Sequence, residues 1–161
     1  MHLVDQDGER IDEHDLSKRT VVLNFMFTRC PSACPRLTQL LRETFDLLPN
    51  ETRRDVQFLS ISVDPDHDRP ATLKDFARKH RADLANWRFA RVDERELSAL
   101  SERLAVFEPG SRADPSAHSM AIYLFDRKGR PRQRYSGTTI EPKRLAREIT
   151  ALAAFEHSSK S

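Results

Sequence analysis

The stretch from Val21 to Pro35 reads Val-Val-Leu-Asn-Phe-Met-Phe-Thr-Arg-Cys-Pro-Ser-Ala-Cys-Pro and contains both cysteines of the chain. Its first seven residues are mostly apolar, which is typical of a strand in the middle of a sheet. A helical pattern follows, and Pro31 and Pro35 mark its entry, so both thiols are expected on a strand-to-helix turn. The partial positive charge of a helix N-terminus favours thiolate, the form that attacks disulfides and binds soft metals. The stretch therefore points first to reactive sulfur chemistry.

Cys30 and Cys34 are separated by three residues, which places them one helical turn apart if the turn is already helical. In that arrangement the two thiols can share a metal ion or close a disulfide. The sequence has no second C-x-x-C or C-x-x-H block to complete a four-ligand zinc cage, so structural zinc is not expected. An ordinary packed pair or a structural disulfide remains the alternative. However, a disulfide that closes so short a loop removes little entropy from the unfolded chain.

The composition fits one globular domain over residues 1–161, with 38% hydrophobic residues. The 27 Lys and Arg are scattered among 25 Asp and Glu, giving a net charge of +2, so nucleic-acid binding has no support. Apolar runs such as Met120–Phe125 are far shorter than the roughly 20 residues that cross a bilayer, and the first residues form no secretory signal. A soluble chain with a disordered tail over residues 156–161 is therefore expected.

Strand and helix patterns alternate along the chain. Strands are predicted at Val21–Phe27, Val56–Val63, Trp87–Val92, Met120–Phe125 and Arg132–Ser136, and helices at Cys34–Leu48, Ala71–His80, Glu94–Val106 and Glu141–Phe155. The turn signal at residues 126–129 predicts a hairpin between the last two strands. Parallel β-α-β units followed by a hairpin and a closing helix give the order of the thioredoxin fold. The predicted fold class is thus α/β and thioredoxin-like, with a central mixed sheet flanked by helices and an N-terminal extension over Leu3–Leu16.

Three chemically interesting residues are expected near one rim of this sheet. In open α/β sheets, active groups gather at the carboxyl ends of the strands. Cys30 follows the first predicted strand and Asp64 follows the second, while His118 lies in the loop that enters the strand at Met120. The fold therefore predicts that segments far apart in sequence meet around the thiols.

Four segments resemble motifs of the Sco/SenC family, and the resemblance spans nearly the whole chain. They are Phe-Thr-Arg-Cys-Pro-Ser-Ala-Cys-Pro at 27–35, Ser-Val-Asp-Pro-Asp-His-Asp-Arg-Pro at 62–70, Trp-Arg-Phe at 87–89 and His-Ser-Met-Ala-Ile-Tyr-Leu-Phe-Asp-Arg-Lys-Gly at 118–129. Members of this family are thioredoxin-like, membrane-tethered copper chaperones that serve assembly of the copper centre in cytochrome c oxidase. The resemblance implies that Cys30, Cys34 and His118 bind copper, as Cu(I) or Cu(II). It also implies a location in the periplasm or on the outer face of the cytoplasmic membrane, although this chain has no evident signal or anchor.

Residue chemistry agrees with this ligand set, although a solitary histidine is usually solvated or hydrogen-bonded. In ordinary thioredoxins, the turn that enters the corresponding strand carries a cis-proline beside the redox pair. Here His118 and Ser119 occupy that place, so a ligand faces the thiols. Two thiolates and an imidazole suit Cu(I), and an additional oxygen could complete a Cu(II) site.

The acidic loop at residues 64–70 leaves alternatives open. Asp64 is expected to lie behind the copper ligands without binding copper itself. Asp64 and Asp68 could cap the helix that begins near Pro70 and hold the loop in place, or they could take part in copper or partner recognition. His67 is expected to be a solvated loop histidine, with transient metal contact as the alternative.

Two positions depart from the commonest family pattern. Ser32 stands where many relatives carry aspartate between the cysteines, and Ala117 stands where an aspartate often precedes the ligand histidine. Both replacements remove negative charge, which should favour thiolate, as should the nearby Arg29. The same loss of charge could reduce Cu(II) affinity or alter the choice of partner. The ligand set itself is intact.

Two function classes follow from these residues. The first is a metallochaperone that holds copper between Cys30, Cys34 and His118 and passes it by ligand exchange to a cytochrome c oxidase subunit or another copper protein. The alternative is a thiol-disulfide oxidoreductase, in which Cys30 and Cys34 are the catalytic redox pair and act on partner-protein cysteines. A weaker third interpretation is a peroxiredoxin-like peroxidase, against which the close cysteine pair and His118 argue. Because a fold alone does not determine function, enzymatic activity stays open at this point.

Overall fold

A seven-stranded sheet forms the centre of the computed structural model, which describes residues 2–111, 114–136 and 139–158. Its strands are β1 (Leu3–Asp5), β2 (Arg10–Ile11), β3 (Thr20–Met26), β4 (Val56–Ser62), β5 (Trp87–Arg91), β6 (Ala121–Phe125) and β7 (Pro131–Ser136). They lie in the order β2-β1-β5-β4-β3-β6-β7. Strands β3, β4 and β5 run parallel, whereas all other neighbours are antiparallel, so the sheet is mixed as predicted.

Strands β3 and β4 occupy the middle of the sheet because every one of their residues is buried. Parallel strands covered on both faces need such nearly continuous apolar sequences. Two of the polar residues among them, Asn24 and Ser60, pair across neighbouring strands. Ser60 donates a hydrogen bond to Asn24 at 2.7 Å and accepts one from the Trp87 indole at 3.0 Å. These two bonds connect β3, β4 and β5 inside the core, and they give the buried Ser60 hydroxyl both an acceptor and a donor.

Helices flank this sheet, as the thioredoxin-like prediction requires. They are α1 (Glu13–Leu16), α2 (Ala33–Leu47), α3 (Asn50–Asp55), α4 (Pro70–Lys79), α5 (Glu94–Leu104) and α6 (Pro142–Ser158), with a 3₁₀ turn at Pro115–Ala117. Helix α2 packs against α6, and its residues Leu37, Leu41 and Phe45 are buried, while α4 packs against β1 and β5. Among the described helices, none is both long and apolar enough to cross a membrane.

The sequence patterns did not predict the short elements. The N-terminal extension adds β1 and β2 to one edge of the sheet, where Leu3 and Ile11 enter the core. Pro49 directly precedes the short helix α3, which the sequence patterns did not indicate. Within α3 only Thr52 is buried, so the sequence offers no apolar stripe from which the helix could be recognised.

The predicted hairpin is confirmed, while two helices end two or more residues away from their predicted ends. Gly129 takes a left-handed φ of 71° in the turn between β6 and β7, where a side chain would be strained. Helix α5 ends at Leu104 instead of Val106 because Ala105 turns left-handed, with φ at 51°. Helix α6 continues to Ser158, so residues 156–158 of the predicted disordered tail are helical. Residues 159–161 of that tail lie outside the described residues.

Candidate metal centre

The thiol turn and the acidic loop leave the sheet side by side. Strands β3 and β4 are parallel and in register, with Met26 opposite Ser62. One further ladder bond, from the Val63 N–H to the Met26 carbonyl at 2.9 Å, extends the pairing to the carboxyl ends of both strands. The segments that follow, residues 27–34 and 63–70, therefore start at the same rim, as the fold predicts.

Both cysteines are free thiols on the turn that enters α2, but their environments differ. The Cys30 N–H donates to the Phe27 carbonyl at 3.3 Å, which curls the chain back after β3. The Cys34 N–H then donates to the Cys30 sulfur at 3.3 Å. Cys30 is partly exposed, whereas Cys34 in the first turn of α2 is fully buried. The pair is thus joined at its backbone, with one sulfur at the surface and one in the core.

Burial raises the pKa of the Cys34 thiol to about 12, an effect that the Phe27 backbone only partly opposes. The neighbouring Cys30 and the Asp68 carboxylate raise this pKa further. The expectation that the helix N-terminus would favour a thiolate is therefore wrong for Cys34. A Cys34 thiolate would place a negative charge in a buried, apolar setting. The cost of removing that charge from water outweighs the stabilisation by the partial positive charge of the helix N-terminus.

His118 lies buried at the end of the 3₁₀ turn, with only 6% of its surface exposed. The rings of Phe27 and Phe107 pack edge-on against it, at centroid distances of 5.8 and 6.4 Å. Its Nδ1 lies 2.6 Å from the Pro115 carbonyl, a contact that requires a proton on Nδ1. The neutral ring therefore carries its lone pair on Nε2.

The Nε2 atom of His118 is buried and has no hydrogen-bond partner among the described residues. Burial lowers the pKa of the ring, although the Pro115 carbonyl and the nearby Phe25 backbone act in the opposite direction; the Phe25 backbone makes no hydrogen bond of ordinary geometry with Nε2. Because buried polar atoms are normally paired, an orphaned imidazole nitrogen needs an explanation. A metal ion would supply one, since ligating histidines usually donate their other N–H to a carbonyl or carboxylate.

Asp64 faces basic residues at the rim. Its carboxylate accepts a hydrogen bond from Arg29 at 2.6 Å and contacts His67 Nδ1 at 2.8 Å. Although burial acts to raise the pKa of Asp64, these two partners outweigh it and hold the pKa below its usual value. Arg29, expected to act on the thiols, is thus engaged by Asp64. The described contacts place Asp64 against Arg29 and His67, and none joins it to the cysteines or to His118.

Asp68 is a fully buried carboxylate that ties the two rim segments together. It accepts hydrogen bonds from the Thr28 N–H at 3.0 Å, from the Thr28 hydroxyl at 2.5 Å and from the Ser62 hydroxyl at 2.6 Å. It does not cap α4, since the residue before that helix is Arg69 and makes no side-chain cap. Of the two predicted roles for the acidic loop, Asp68 therefore serves to hold the loop. The adjacent strand ends could have suggested its pairing with Thr28.

Comparison with known proteins identifies the family to which these residues belong. The family model described as SCO1/SenC matches residues 1–154. The chain belongs to the SCO1/SenC family. This confirms the resemblance carried by the four sequence motifs, and proteins of this family handle copper in the assembly of cytochrome c oxidase.

Individual relatives agree with the family assignment. The chain is 30% identical to the SCO1 protein homolog of Bacillus subtilis over 140 residues, which cover 85% of the chain and 72% of that protein. Alignments with seven further relatives cover between 37% and 63% of the relative.

Two solved structures resemble this SCO1/SenC-family protein over most of its length. One is a SCO1/SenC family lipoprotein from Bacillus anthracis, which is 29% identical with a TM-score of 0.79 and covers 95% of this chain and 92% of its own. The other is yeast Sco1 with copper bound, which is 23% identical and has a TM-score of 0.76. The alignment covers 99% of this chain and 87% of the yeast chain. At that identity the yeast likeness establishes the fold alone.

In this SCO1/SenC-family protein the two predicted cysteine ligands lie together, whereas His118 does not lie close enough to complete a three-ligand site. Cys30 and Cys34 are adjacent, and Phe27 links them to His118 through its carbonyl and its ring. Within the described residues, only an exposed group at Asp12–Asp15 offers three candidate ligand atoms all within 4.8 Å of one another. The two sulfurs and a His118 ring nitrogen therefore do not form such a group. Binding one metal ion through all three requires them to approach each other.

The two departures from the family pattern lie close to the predicted ligands. Ser32 is exposed immediately before α2 and makes no cap hydrogen bond through its side chain. Ala117 ends the 3₁₀ turn whose Pro115 carbonyl holds His118. Neither residue adds charge beside the cysteines or the imidazole.

Proposed function

We propose that this chain is a metallochaperone that binds copper through Cys30, Cys34 and His118 and delivers it to a copper centre of cytochrome c oxidase. Family membership supports copper as the cargo, because SCO1/SenC proteins handle copper in the assembly of cytochrome c oxidase. The observation that carries the assignment of the site is the buried His118 Nε2, which has no hydrogen-bond partner among the described residues. Copper is here the cargo of the protein and not a permanent cofactor.

The donor set suits Cu(I). Two sulfurs and one imidazole nitrogen provide soft ligands in low number, as this ion prefers. The Pro115 carbonyl fixes the ring of His118 and leaves Nε2 unprotonated, so the nitrogen is ready to bind. The Cys34 thiol, protonated near neutral pH, must release its proton when it binds.

Delivery follows from the difference between the two cysteines. A ligand of the acceptor protein must reach the bound ion before either sulfur can leave. Cys30 is partly exposed and Cys34 is fully buried, so exchange begins at Cys30. The acceptor is a cytochrome c oxidase subunit or another copper protein. The lipoprotein relative from Bacillus anthracis supports a location in the periplasm or on the outer face of the cytoplasmic membrane.

Anaerobic titration of the reduced protein with Cu(I), followed by metal analysis, tests this function. We expect one Cu(I) per chain, and affinity at least about 100-fold lower in Cys30→Ser and in Cys34→Ser, because even losing a residue that orients a ligand costs 10- to 100-fold. Ser32→Ala is the matched control, since it changes the same turn without touching a ligand. Unchanged affinity in either cysteine variant would exclude the proposed site.

A further inference from the structure

A basic cleft lies between α2 and the end of α4. Its charged walls are Arg36 and Arg42 on α2 and Lys79 and Arg81 from the end of α4, and it encloses about 390 Å³. Glu43 is the one carboxylate among its lining residues. The whole chain carries a net charge of only +2, so this cleft concentrates positive charge on an otherwise balanced surface.

Most of this charge has no internal partner. Arg36, Lys79 and Arg81 are exposed, and no described carboxylate pairs with any of the three side chains. Arg42 is the exception because it pairs with Asp46 at 3.1 Å. The basic cleft therefore offers three cations that are free to meet anions from outside.

The backbone that carries Arg81 is built in an unusual way. Arg81 takes a left-handed φ of 55° just after α4, a position that normally favours glycine. The next residue closes the helix end, with the Ala82 N–H bonded to the Ala77 carbonyl at 2.8 Å. The Arg42 guanidinium donates to the Arg81 carbonyl at 2.8 Å and so ties α4 to α2. The fold thus holds an arginine in place where a glycine would be less strained.

The basic cleft also adjoins the thiol turn. Pro35 and Arg36, which line it, directly follow Cys34 in the first turns of α2. A molecule that occupies the cleft therefore lies beside the segment from which the proposed copper exchange takes place.

We propose that the basic cleft binds an acidic polypeptide segment of the protein that exchanges copper with this chain. The inference rests on the proposed function, because it names the kind of partner that would approach the thiols. A polypeptide fits better than a membrane because the cleft is concave and carries Glu43, hydrogen-bonded to Gln39 at 3.1 Å, among its cations. Charge complementarity of this kind steers association and fixes orientation more than it adds affinity.

A capped hexaglutamate peptide with a fluorescent label tests the charge of the cleft on the full, reduced, metal-free chain. The variant Arg36→Glu/Lys79→Glu is expected to bind it about tenfold more weakly than the original chain at low salt, because two attractions become repulsions. Arg95→Glu/Lys143→Glu makes the same change of net charge at exposed positions on α5 and α6 and is expected to stay within about twofold. Equal loss in both variants, or no loss in the first, would overturn the proposal.

Two further measurements distinguish loss of charge in the cleft from unfolding and from membrane binding. Arg81→Gly removes a cation from the cleft and also relieves the left-handed backbone, so this variant is expected to be at least as stable as the original chain. If it binds the peptide more weakly, unfolding cannot be the cause. Vesicles of phosphatidylglycerol test the membrane alternative, and binding to them without binding to the peptide would overturn the proposal.

Copper titration of Arg36→Glu/Lys79→Glu keeps this proposal separate from the proposed function. The variant should still give one Cu(I) per chain, because neither substitution removes a proposed ligand. If the original chain and all of its variants fail to bind copper, the proposed function is wrong. The peptide measurements would still show whether the basic cleft binds an acidic segment.

Discussion

At the scale of single residues, two of the proposed ligands, Cys34 and His118, are neutral in the metal-free chain. Burial keeps the proton on the Cys34 sulfur and keeps a second proton off the His118 ring, since it raises the pKa of the thiol and lowers that of the imidazole. A neutral site avoids the cost of buried charge until a cation arrives to balance it. Copper binding is therefore coupled to proton release from one identifiable residue.

We predict that Cu(I) binding at pH 7.5 releases at least one proton per chain, which comes from Cys34. Because the pKa of this thiol is about 12, each fall of one pH unit should weaken apparent affinity about tenfold for that proton. His118 contributes little to this proton release at pH 7.5, because burial lowers its pKa from the usual value. Calorimetry in two buffers with different ionisation enthalpies measures the number of protons released. Affinity that is independent of pH between 6.5 and 8 would contradict this prediction.

Sequence reasoning identifies candidate ligands better than it identifies their environments. The positions of Cys30 and Asp64 follow from strand ends, and His118 follows from the family motif. The burial of Cys34 could not be predicted, because it depends on how deeply the first turn of α2 sits on the sheet. The pairing of Asp64 with Arg29 and His67 could not be predicted either, because it depends on the directions of side chains within two irregular loops.

At the scale of elements, the thiol turn is fixed by a neighbouring loop. Asp68 accepts hydrogen bonds from both the N–H and the hydroxyl of Thr28, two residues before Cys30. Ser62, at the end of β4, donates to the same carboxylate. The position of the thiol turn therefore depends on the loop after β4 as much as on β3 itself.

We predict that Asp68→Ala lowers the free energy of unfolding by about 2–4 kcal/mol, because three donors lose a buried, charged acceptor. Urea denaturation of the reduced, metal-free protein measures the change. Asp66→Ala provides the control in the same loop, since Asp66 is exposed, and it should change stability by less than about 0.5 kcal/mol. Equal effects of the two substitutions would show that Asp68 does not hold the turn.

The elements with strong apolar periodicity were predictable, and those without it were not. Helix α2 and strands β3 and β4 carry continuous or regularly spaced apolar residues, so their existence follows from the sequence alone. Strand β2 has two residues and α1 has four, too few to establish a period. Strand β2 forms because β1 lies at the edge of the sheet beside β5 and offers it a partner, whereas α1 is held by the reciprocal capping bonds of Asp12 and Asp15.

At the scale of the whole molecule, the fold brings the thiol turn and the loop of His118 to one region without closing a three-ligand site. Phe27 packs its ring against His118, while its carbonyl accepts the hydrogen bond from Cys30. Thiol-disulfide exchange needs only the two sulfurs, whereas copper binding needs the imidazole to join them. His118 therefore separates the proposed function from the competing oxidoreductase activity.

We predict that His118→Ala retains disulfide formation and exchange at Cys30 and Cys34, within about threefold in rate, because the substitution removes neither sulfur. The same variant should lose the stable Cu(II) form and its sulfur-to-copper absorption, while Cu(I) stays weakly bound to two thiolates. His67→Ala is the matched control, since it removes an exposed histidine from the same rim and should leave both copper states unchanged. If His118→Ala binds both copper states normally but fails in disulfide exchange, the histidine serves thiol chemistry, and the chain is an oxidoreductase.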